Sequence, residues 1–263
     1  MGGHAEALLE TSAPGVRLLG LDVDPVALER AGERLRRFGA RVRLRRENFR
    51  RLAAAAAAEG IERAEAVLLD LGVSSYQLEG SGRGFSFQGD EPLDMRLDPA
   101  AGETAERLLN RLPEPDLARV IAEYGDEPHA RRIARAVARR RPLRTTADLV
   151  SAVRAGVPRA AWPRRLHVAT RTFQAVRMAV NDEPGALREA LPAAAALLSP
   201  GARLAVISFH SGEDRIVKRT FRALAAEADW AVVEPSPLEP GDDEVRANPR
   251  ARSARLRVLE RVA

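Results

Sequence analysis

Cysteine is absent from this chain of 263 residues, and Lys218 is its only lysine. Without cysteine there can be no disulfide, no catalytic thiolate and no zinc site built on thiolates. The sequence also lacks an apolar run of the roughly 20 residues that a membrane-spanning helix needs. Its first residues do not have the basic and apolar segments of a signal peptide. We therefore expect a cytoplasmic protein with no membrane partner.

Aromatic residues are scarce, at 4%, whereas the net charge is +5 and the basic charge is almost wholly arginine. Clustered arginines neutralise and bind phosphate groups, which favours a nucleic-acid partner. A GC-rich genome raises arginine and alanine together, and the alanine run at 53–58 is consistent with that explanation. Composition alone leaves both interpretations open.

Short apolar stretches that end in acids alternate with helical patterns along the first 72 residues. Residues 16–22 and 66–71 predict strands, and Asp24 with Pro25 predicts the capped start of a helix. A further buried strand is predicted at 202–209. This alternation is typical of an α/β fold with a doubly wound, parallel sheet.

The alternation stops at a loop over residues 79–99 that is rich in glycine and proline. Residues 104–155 then show apolar positions at helical spacing and no strand pattern. We predict a helical domain at 101–165, inserted into an α/β domain that is formed by residues 1–100 and 166–263.

Three groups of residues are candidates for binding and chemistry. Gly2, Gly3 and His4 precede a helix, where glycines let the backbone approach a ligand closely. Asp22 follows the next strand, a position from which an acid binds ribose hydroxyls in nucleotide-binding sheets. Glycines followed by such an acid fit an adenosine group, but they do not distinguish NAD from S-adenosylmethionine.

The third group surrounds Asp70, at the end of the strand predicted at 66–71. Neither the ligand set of a metal site nor the Gly-x-Ser-x-Gly elbow of a nucleophilic serine is present, so we expect no metal. His210, after the strand at 202–209, is either a base or a structural hydrogen-bonding residue.

The chain resembles the bacterial ribosomal RNA small-subunit methyltransferase H family over essentially its whole length. The resemblance rests on Gly2-Gly3-His4 and Leu69-Asp70-Leu71-Gly72, together with a series of further motifs in the same order. These further motifs lie at 22–25, 73–78, 83–87, 92–96, 170–177, 180–183, 207–218 and 248–257.

The resemblance implies a Rossmann-type methyltransferase sheet with an inserted helical domain, and S-adenosylmethionine as the cofactor. It implies methylation of N4 of a cytidine in the decoding region of 16S rRNA, with the assembled small ribosomal subunit as the expected partner. The cofactor-binding residues that it implies are Gly2, Gly3, His4, Asp22, Phe49, Asp70 and Gln77.

Transfer of a methyl group to an amine is largely a problem of orientation. Because the cytosine amine shares its lone pair with the ring, acceptors for its hydrogens would make it more nucleophilic, and we expect Asp70 or nearby carbonyls to supply them. The cytidine must also leave its stack. The candidate contacts to RNA are Arg83, Phe85, Arg96, Arg177, His210, Arg215, Arg250 and Arg252.

The family continues upstream of Met1 with a strand and the first half of the glycine loop. We therefore expect the natural protein to start earlier, and this shorter chain to fold or bind cofactor less well. Two alternatives stay open at this stage: an inactive RNA-binding or ribosome-assembly relative, and an NAD-dependent Rossmann enzyme.

Overall fold

The computed structural model describes residues 1–164 and 166–263. The chain divides into two compact units, the first formed by Met1–Gly72 with Pro184–Ala263 and the second by Val73–Glu183. The helical block predicted at 101–165 lies inside the second unit. Among the described residues, no helix has the length and apolar character that a membrane span requires.

The first unit starts with alternating helices and strands. In chain order they are α1 Gly3–Thr11, β1 Leu18–Asp22, α2 Pro25–Leu35, β2 Val42–Arg46, α3 Leu52–Ala58 and β3 Ala64–Asp70. Strands β1 and β2 are parallel, with Leu18 opposite Val42. The predicted start of α2 is confirmed, because the Asp24 carboxylate accepts a hydrogen bond from the Val26 amide at 3.1 Å and Pro25 is the first helical residue.

Helices dominate the second unit. They are α4 Ser75–Glu79, α5 Ala105–Arg111, α6 Glu114–Gly125, α7 Ala130–Arg140, α8 Thr146–Gly156 and α9 Thr170–Val180. Apolar residues at helical spacing form their common core, as the sequence pattern predicts. Core residues that are fully buried include Leu117, Ile121, Ile133, Val137, Leu149, Val153 and Val176.

The glycine- and proline-rich loop between α4 and α5 is held by specific hydrogen bonds. The Asn181 side chain donates to the Met95 carbonyl at 2.8 Å and accepts from the Leu97 amide at 2.7 Å. Met95 is completely buried and has a φ of 57°, a conformation that is uncommon for a residue with a side chain. The loop is therefore an ordered part of the second unit.

The chain returns to the first unit along α10 Glu183–Leu197. It continues with β4 Leu198–Ser208, α11 Ser211–Leu224, β5 Trp230–Val232, α12 Asp242–Ala247 and β6 Arg255–Arg261. Strand β3 pairs in parallel with β4, whereas β6 lies between β4 and β5 and is antiparallel to both. The wholly parallel sheet suggested by the alternation of elements is therefore wrong for these last strands. A parallel pairing needs a crossover connection, whereas an antiparallel pairing needs only that the chain returns along its neighbour.

A second core stabilises this sheet. It combines small and branched residues of α10 with residues of β4 and α11, and these side chains are at most 2% exposed. The residues are Leu187, Ala190, Leu191, Ala194, Leu204, Val206 and Phe221. Because β3 pairs with β4, this core fixes the position of the β3 end that carries Asp70.

Candidate functional site

Asp70 is the last residue of β3, and it lies at the edge of the sheet where its backbone faces Ile207 of β4. The chain turns away at once, because the Leu71 amide donates to the Ile207 carbonyl at 3.0 Å and Gly72 adopts a φ of 89°. A residue with a side chain would be strained in that conformation. The sequence Asp-Leu-Gly therefore ends β3, in which Leu69 is the one buried residue, and leaves the Asp70 carboxylate half-exposed.

His4 contacts this carboxylate, with its Nδ1 atom 3.1 Å from Oδ2 of Asp70. The hydrogen bond to Asp70 raises the pKa of His4, and burial opposes this effect. The structure thus brings together two residues that were predicted separately, one in the glycine loop and one at the strand end. The position of Asp70 follows from the rule that ligands bind where strands end, whereas its contact with His4, 66 residues away in the sequence, depends on the tertiary fold.

Gly2 caps α1 and has a φ of 81°, in the left-handed region. A Cβ atom there would also lie 3.3 Å from the Cα atom of Ala31. The conformation and the close approach both call for glycine. The first amides of α1, including those of Gly3 and His4, have no partner within the helix and can bind acceptor atoms.

Asp22 lies at the end of β1, and its Oδ1 atom accepts a hydrogen bond from the Asp24 amide at 2.9 Å. Burial raises the pKa of Asp22, and the hydrogen bond from the backbone of Asp24 opposes the shift. Asp24 is 1% exposed and caps α2, so the two acids have different structural roles. The Asp22 carboxylate is thus able to accept further hydrogen bonds from a ligand with hydroxyl groups.

Phe49 starts a 3₁₀ turn before α3 and packs against the core of the first unit. Gln77 belongs to the second unit, is 6% exposed, and forms a capping box with Ser74. The Gln77 side chain accepts from the Ser74 amide at 2.8 Å, and the Ser74 hydroxyl accepts from the Gln77 amide at 3.3 Å. The Ser-x-x-Gln pattern in the sequence predicts this cap, a structural role for Gln77 beside the cofactor contact expected of it.

Two of the arginines predicted to contact RNA form internal ion pairs. Arg96 donates two hydrogen bonds to the Asp94 carboxylate, both at 2.8 Å. Arg177 donates to both oxygens of Glu183, at 2.8 and 2.9 Å, and both side chains are largely buried. These forked arrangements stabilise the second unit and leave less of each guanidinium for a phosphate.

Arg83 and Phe85 also have internal partners. The Arg83 guanidinium donates to the carbonyls of Arg96 and Leu97, both at 3.1 Å, and lies 5.3 Å from the centre of the Phe85 ring. Phe85 is 6% exposed and belongs to the core of the second unit. In this structure neither face of the Phe85 ring is open to a nucleobase.

His210 caps α11, since its Nδ1 atom accepts from the Glu213 amide at 3.3 Å. Its Nε2 atom lies 3.1 Å from the Glu213 carboxylate, but the alignment is too poor for a hydrogen bond. This is the structural role that sequence reasoning kept as the alternative to catalysis. The other candidates in this unit are exposed on α11 and on the 3₁₀ turn before β6, namely Arg215, Arg250 and Arg252.

The first unit has a two-stranded sheet, β1-β2, and a four-stranded sheet, β3-β4-β6-β5, and in each a parallel strand ends in a carboxylate. Such strand ends, together with a helix that starts on glycine, are typical of the α/β proteins that bind ligands at the carboxyl ends of their strands. Comparison with known proteins gives the particular family. The family model described as the MraW methylase family matches residues 1–262, and the chain belongs to that family. The resemblance inferred from the sequence and the α/β fold class are confirmed.

Relatives with a high identity carry the name ribosomal RNA small subunit methyltransferase H. The protein from Heliobacterium modesticaldum is 48% identical over 280 residues, which cover 99% of this chain and 90% of that protein. The protein from Geotalea daltonii is 50% identical over 278 residues, with 99% and 89% covered.

Proposed function

We propose that this chain transfers a methyl group from S-adenosylmethionine to N4 of a cytidine in the decoding region of 16S rRNA. The broader activity, rRNA methylation, follows from the family and from the names of the relatives. The observation that carries the proposed chemistry is the contact between His4 and Asp70, which holds a carboxylate at the end of β3. The choice of N4 and of the decoding region follows from the resemblance in sequence. We further propose the assembled small ribosomal subunit as the substrate.

The residues at the strand ends of the first unit fit such a cofactor. Asp22 combines a burial-raised pKa with a carboxylate that accepts a hydrogen bond from one backbone amide, so ribose hydroxyls would stabilise its charged form. The backbone amides that start α1 have no partner within the helix and would donate to acceptor atoms of the cofactor. When bound, the cofactor would supply a methyl group made electrophilic by its sulfonium.

The chain's own contribution is to orient the cytosine amine and to accept its proton. His4 contacts the Oδ2 atom of Asp70, so the proposal assigns the substrate amine to the other oxygen, Oδ1. In the proposal, Oδ1 accepts a hydrogen bond from N4 and then the proton that the amine loses. This hydrogen bond makes the delocalised lone pair more available for attack. Phe49 and Gln77 remain predicted cofactor contacts.

Transfer of labelled methyl from S-adenosylmethionine to small ribosomal subunits and to naked 16S rRNA tests the proposal. The modified nucleoside, isolated by digestion and identified by mass spectrometry, should be N4-methylcytidine, with more product from subunits than from naked RNA. A methyl group on another atom would contradict the proposal. RNA binding without methyl transfer would favour the inactive relative. Family membership argues against the NAD-dependent alternative.

Substitution of Asp70 tests the role of its carboxylate. We expect Asp70→Ala to lower kcat at saturating cofactor by roughly 10²–10⁴-fold, the usual contribution of a positioned proton acceptor. Glu65→Gln is the matched control, because Glu65 lies on the same strand five residues away and is also exposed. Normal turnover by the Asp70→Ala variant would remove Asp70 from the mechanism.

A further inference from the structure

Helix α7 carries only positive charges along its exposed side. Its eleven residues include five arginines and no acid. The apolar residues Ile133, Ala134 and Val137 are buried in the core of the second unit, which turns the opposite side of the helix to solvent. That side presents a row that we call the α7 arginine strip, formed by Arg131, Arg132, Arg135 and Arg139.

The strip is poorly neutralised by its surroundings. Within residues 1–164 and 166–263, the one carboxylate at ion-pair distance from the strip is Glu114, whose Oε1 atom lies 3.4 Å from Arg135. The arginines of α2 and the turn after it differ, since Arg34 and Arg37 both contact Glu6. A compositional bias toward arginine would affect both surfaces, so it does not account for the missing acids on α7.

The spacing of the strip suits an extended polyanion. Arg131, Arg135 and Arg139 are four residues apart, so they lie in one row with a rise of about 6 Å per step. Like charges at this spacing destabilise an isolated helix. Phosphate groups bound along the row would remove that repulsion and release counterions.

A groove of about 720 Å³ between α6 and α7 borders the strip. Ala118 and Ala122 line it from α6, and Arg131, Arg132 and Arg135 line it from α7. Glu114 and Glu127 also belong to the lining. Because the groove contains carboxylates as well as guanidinium groups, phosphates would bind along the exposed strip beside the groove rather than inside it.

We infer that the α7 arginine strip binds the phosphate backbone of the rRNA substrate, outside the nucleotide that is methylated. This inference rests on the proposed function. It assigns the RNA contact to residues that were not among the arginines predicted from the sequence, several of which have internal partners. Contacts of this kind supply affinity and register rather than base recognition.

RNA binding measured as a function of salt, without cofactor, tests the inference. The wild type is compared with the Arg131→Gln, Arg135→Gln, Arg139→Gln triple variant. A matched control removes three exposed arginines of the first unit, Arg17→Gln, Arg36→Gln and Arg188→Gln. If the strip neutralises three phosphates of a single strand, the plot of log K for RNA binding against log salt concentration should be less steep in the α7 variant, with a slope about 2 smaller in magnitude. Between 50 and 200 mM salt, wild-type affinity should then fall roughly 20-fold more than that of the variant.

The control should keep the wild-type slope, and so should a charge-retaining variant with lysine at the same three α7 positions. An α7 variant whose slope and affinity equal those of the control would overturn the inference, and would leave an acidic protein as the partner to test for this strip. Circular dichroism checks that the variants fold. Methyl transfer by the wild type is measured separately, so a failure of the proposed function is distinguished from a failure of the strip. In the α7 variant, KM for RNA should rise while kcat changes little.

Discussion

Asp22 offers a test in which stability and cofactor binding should change in opposite directions. The substitution Asp22→Asn removes the charge but keeps an oxygen that can accept the hydrogen bond from the Asp24 amide. Because burial raises the pKa of Asp22, this group stabilises the fold below its ordinary pKa of 3.8, and that contribution is lost as pH rises through the raised value. At pH 7 the asparagine variant should therefore be at least as stable as the wild type.

Cofactor binding should weaken in the same variant. A hydrogen bond to a charged group contributes about 1.5–3 kcal/mol, against about 0.5–1.5 kcal/mol for a neutral pair. The asparagine keeps one acceptor, and its NH₂ group would face a hydroxyl donor of the ribose. A loss of about 1.5–3 kcal/mol corresponds to a Kd that is roughly 10–150-fold higher.

Calorimetric titration with S-adenosylmethionine measures the affinity for the cofactor, and urea unfolding at several pH values without ligand measures the stability. The pH dependence contributed by Asp22 should disappear in the variant. Glu29→Gln is the control, since Glu29 is an exposed carboxylate on α2. Unchanged cofactor affinity would refute the ribose role of Asp22, and a loss of stability at pH 7 would refute the reasoning from burial.

Two further predictions concern backbone geometry and titration. Gly84→Ala should destabilise the protein by at least about 2 kcal/mol in urea, because Gly84 has a φ of 75° and a Cβ would lie 2.4 Å from the Pro92 carbonyl oxygen. Gly82 also has a positive φ, but a Cβ added there would meet open space. A loss of stability in Gly82→Ala as large as that in Gly84→Ala would therefore contradict the steric argument. In the Asp70→Asn variant, NMR titration should show the pKa of His4 falling toward its ordinary value of 6.5. In the wild type the His4–Asp70 pair stabilises the fold below pH 6.5 by at most about 1 kcal/mol. This contribution is lost as pH rises through the raised pKa of His4. An unchanged titration midpoint of His4 in the variant would exclude the contact.

Local signals were readable from the sequence wherever the structure depends on neighbouring residues. Asp24 and Pro25 predicted the start of α2 because a cap needs only the adjacent amides. The strand end at Asp70 was readable because an apolar run stops at a carboxylate and a glycine. The capping box of Gln77 is equally local, and it was missed because the side chain was considered only as a ligand contact.

Features that depend on tertiary contacts could not be predicted in this way. Arg177 and Glu183 are six residues apart, a spacing that does not place two side chains together on one helix, and their pairing depends on the turn between α9 and α10. The antiparallel direction of β6 depends on the course of a long connection rather than on its own residues. The arginines of α7 are close together in the sequence, but the pairing of Arg135 with Glu114 depends on the packing of α6 against α7.

The pairing of β3 with β4 has a consequence for how the protein is made. Asp70 faces Ile207, and residues 73–183 form a compact unit that lies between these two positions in the chain. During synthesis Asp70 leaves the ribosome long before its partner strand exists, so the edge that holds it cannot be assembled until β4 has been completed. Pairings between strands so distant in sequence are intrinsically slow to form. The candidate active site is thus among the last parts of the protein to form. By then all residues of the second unit have already been synthesised.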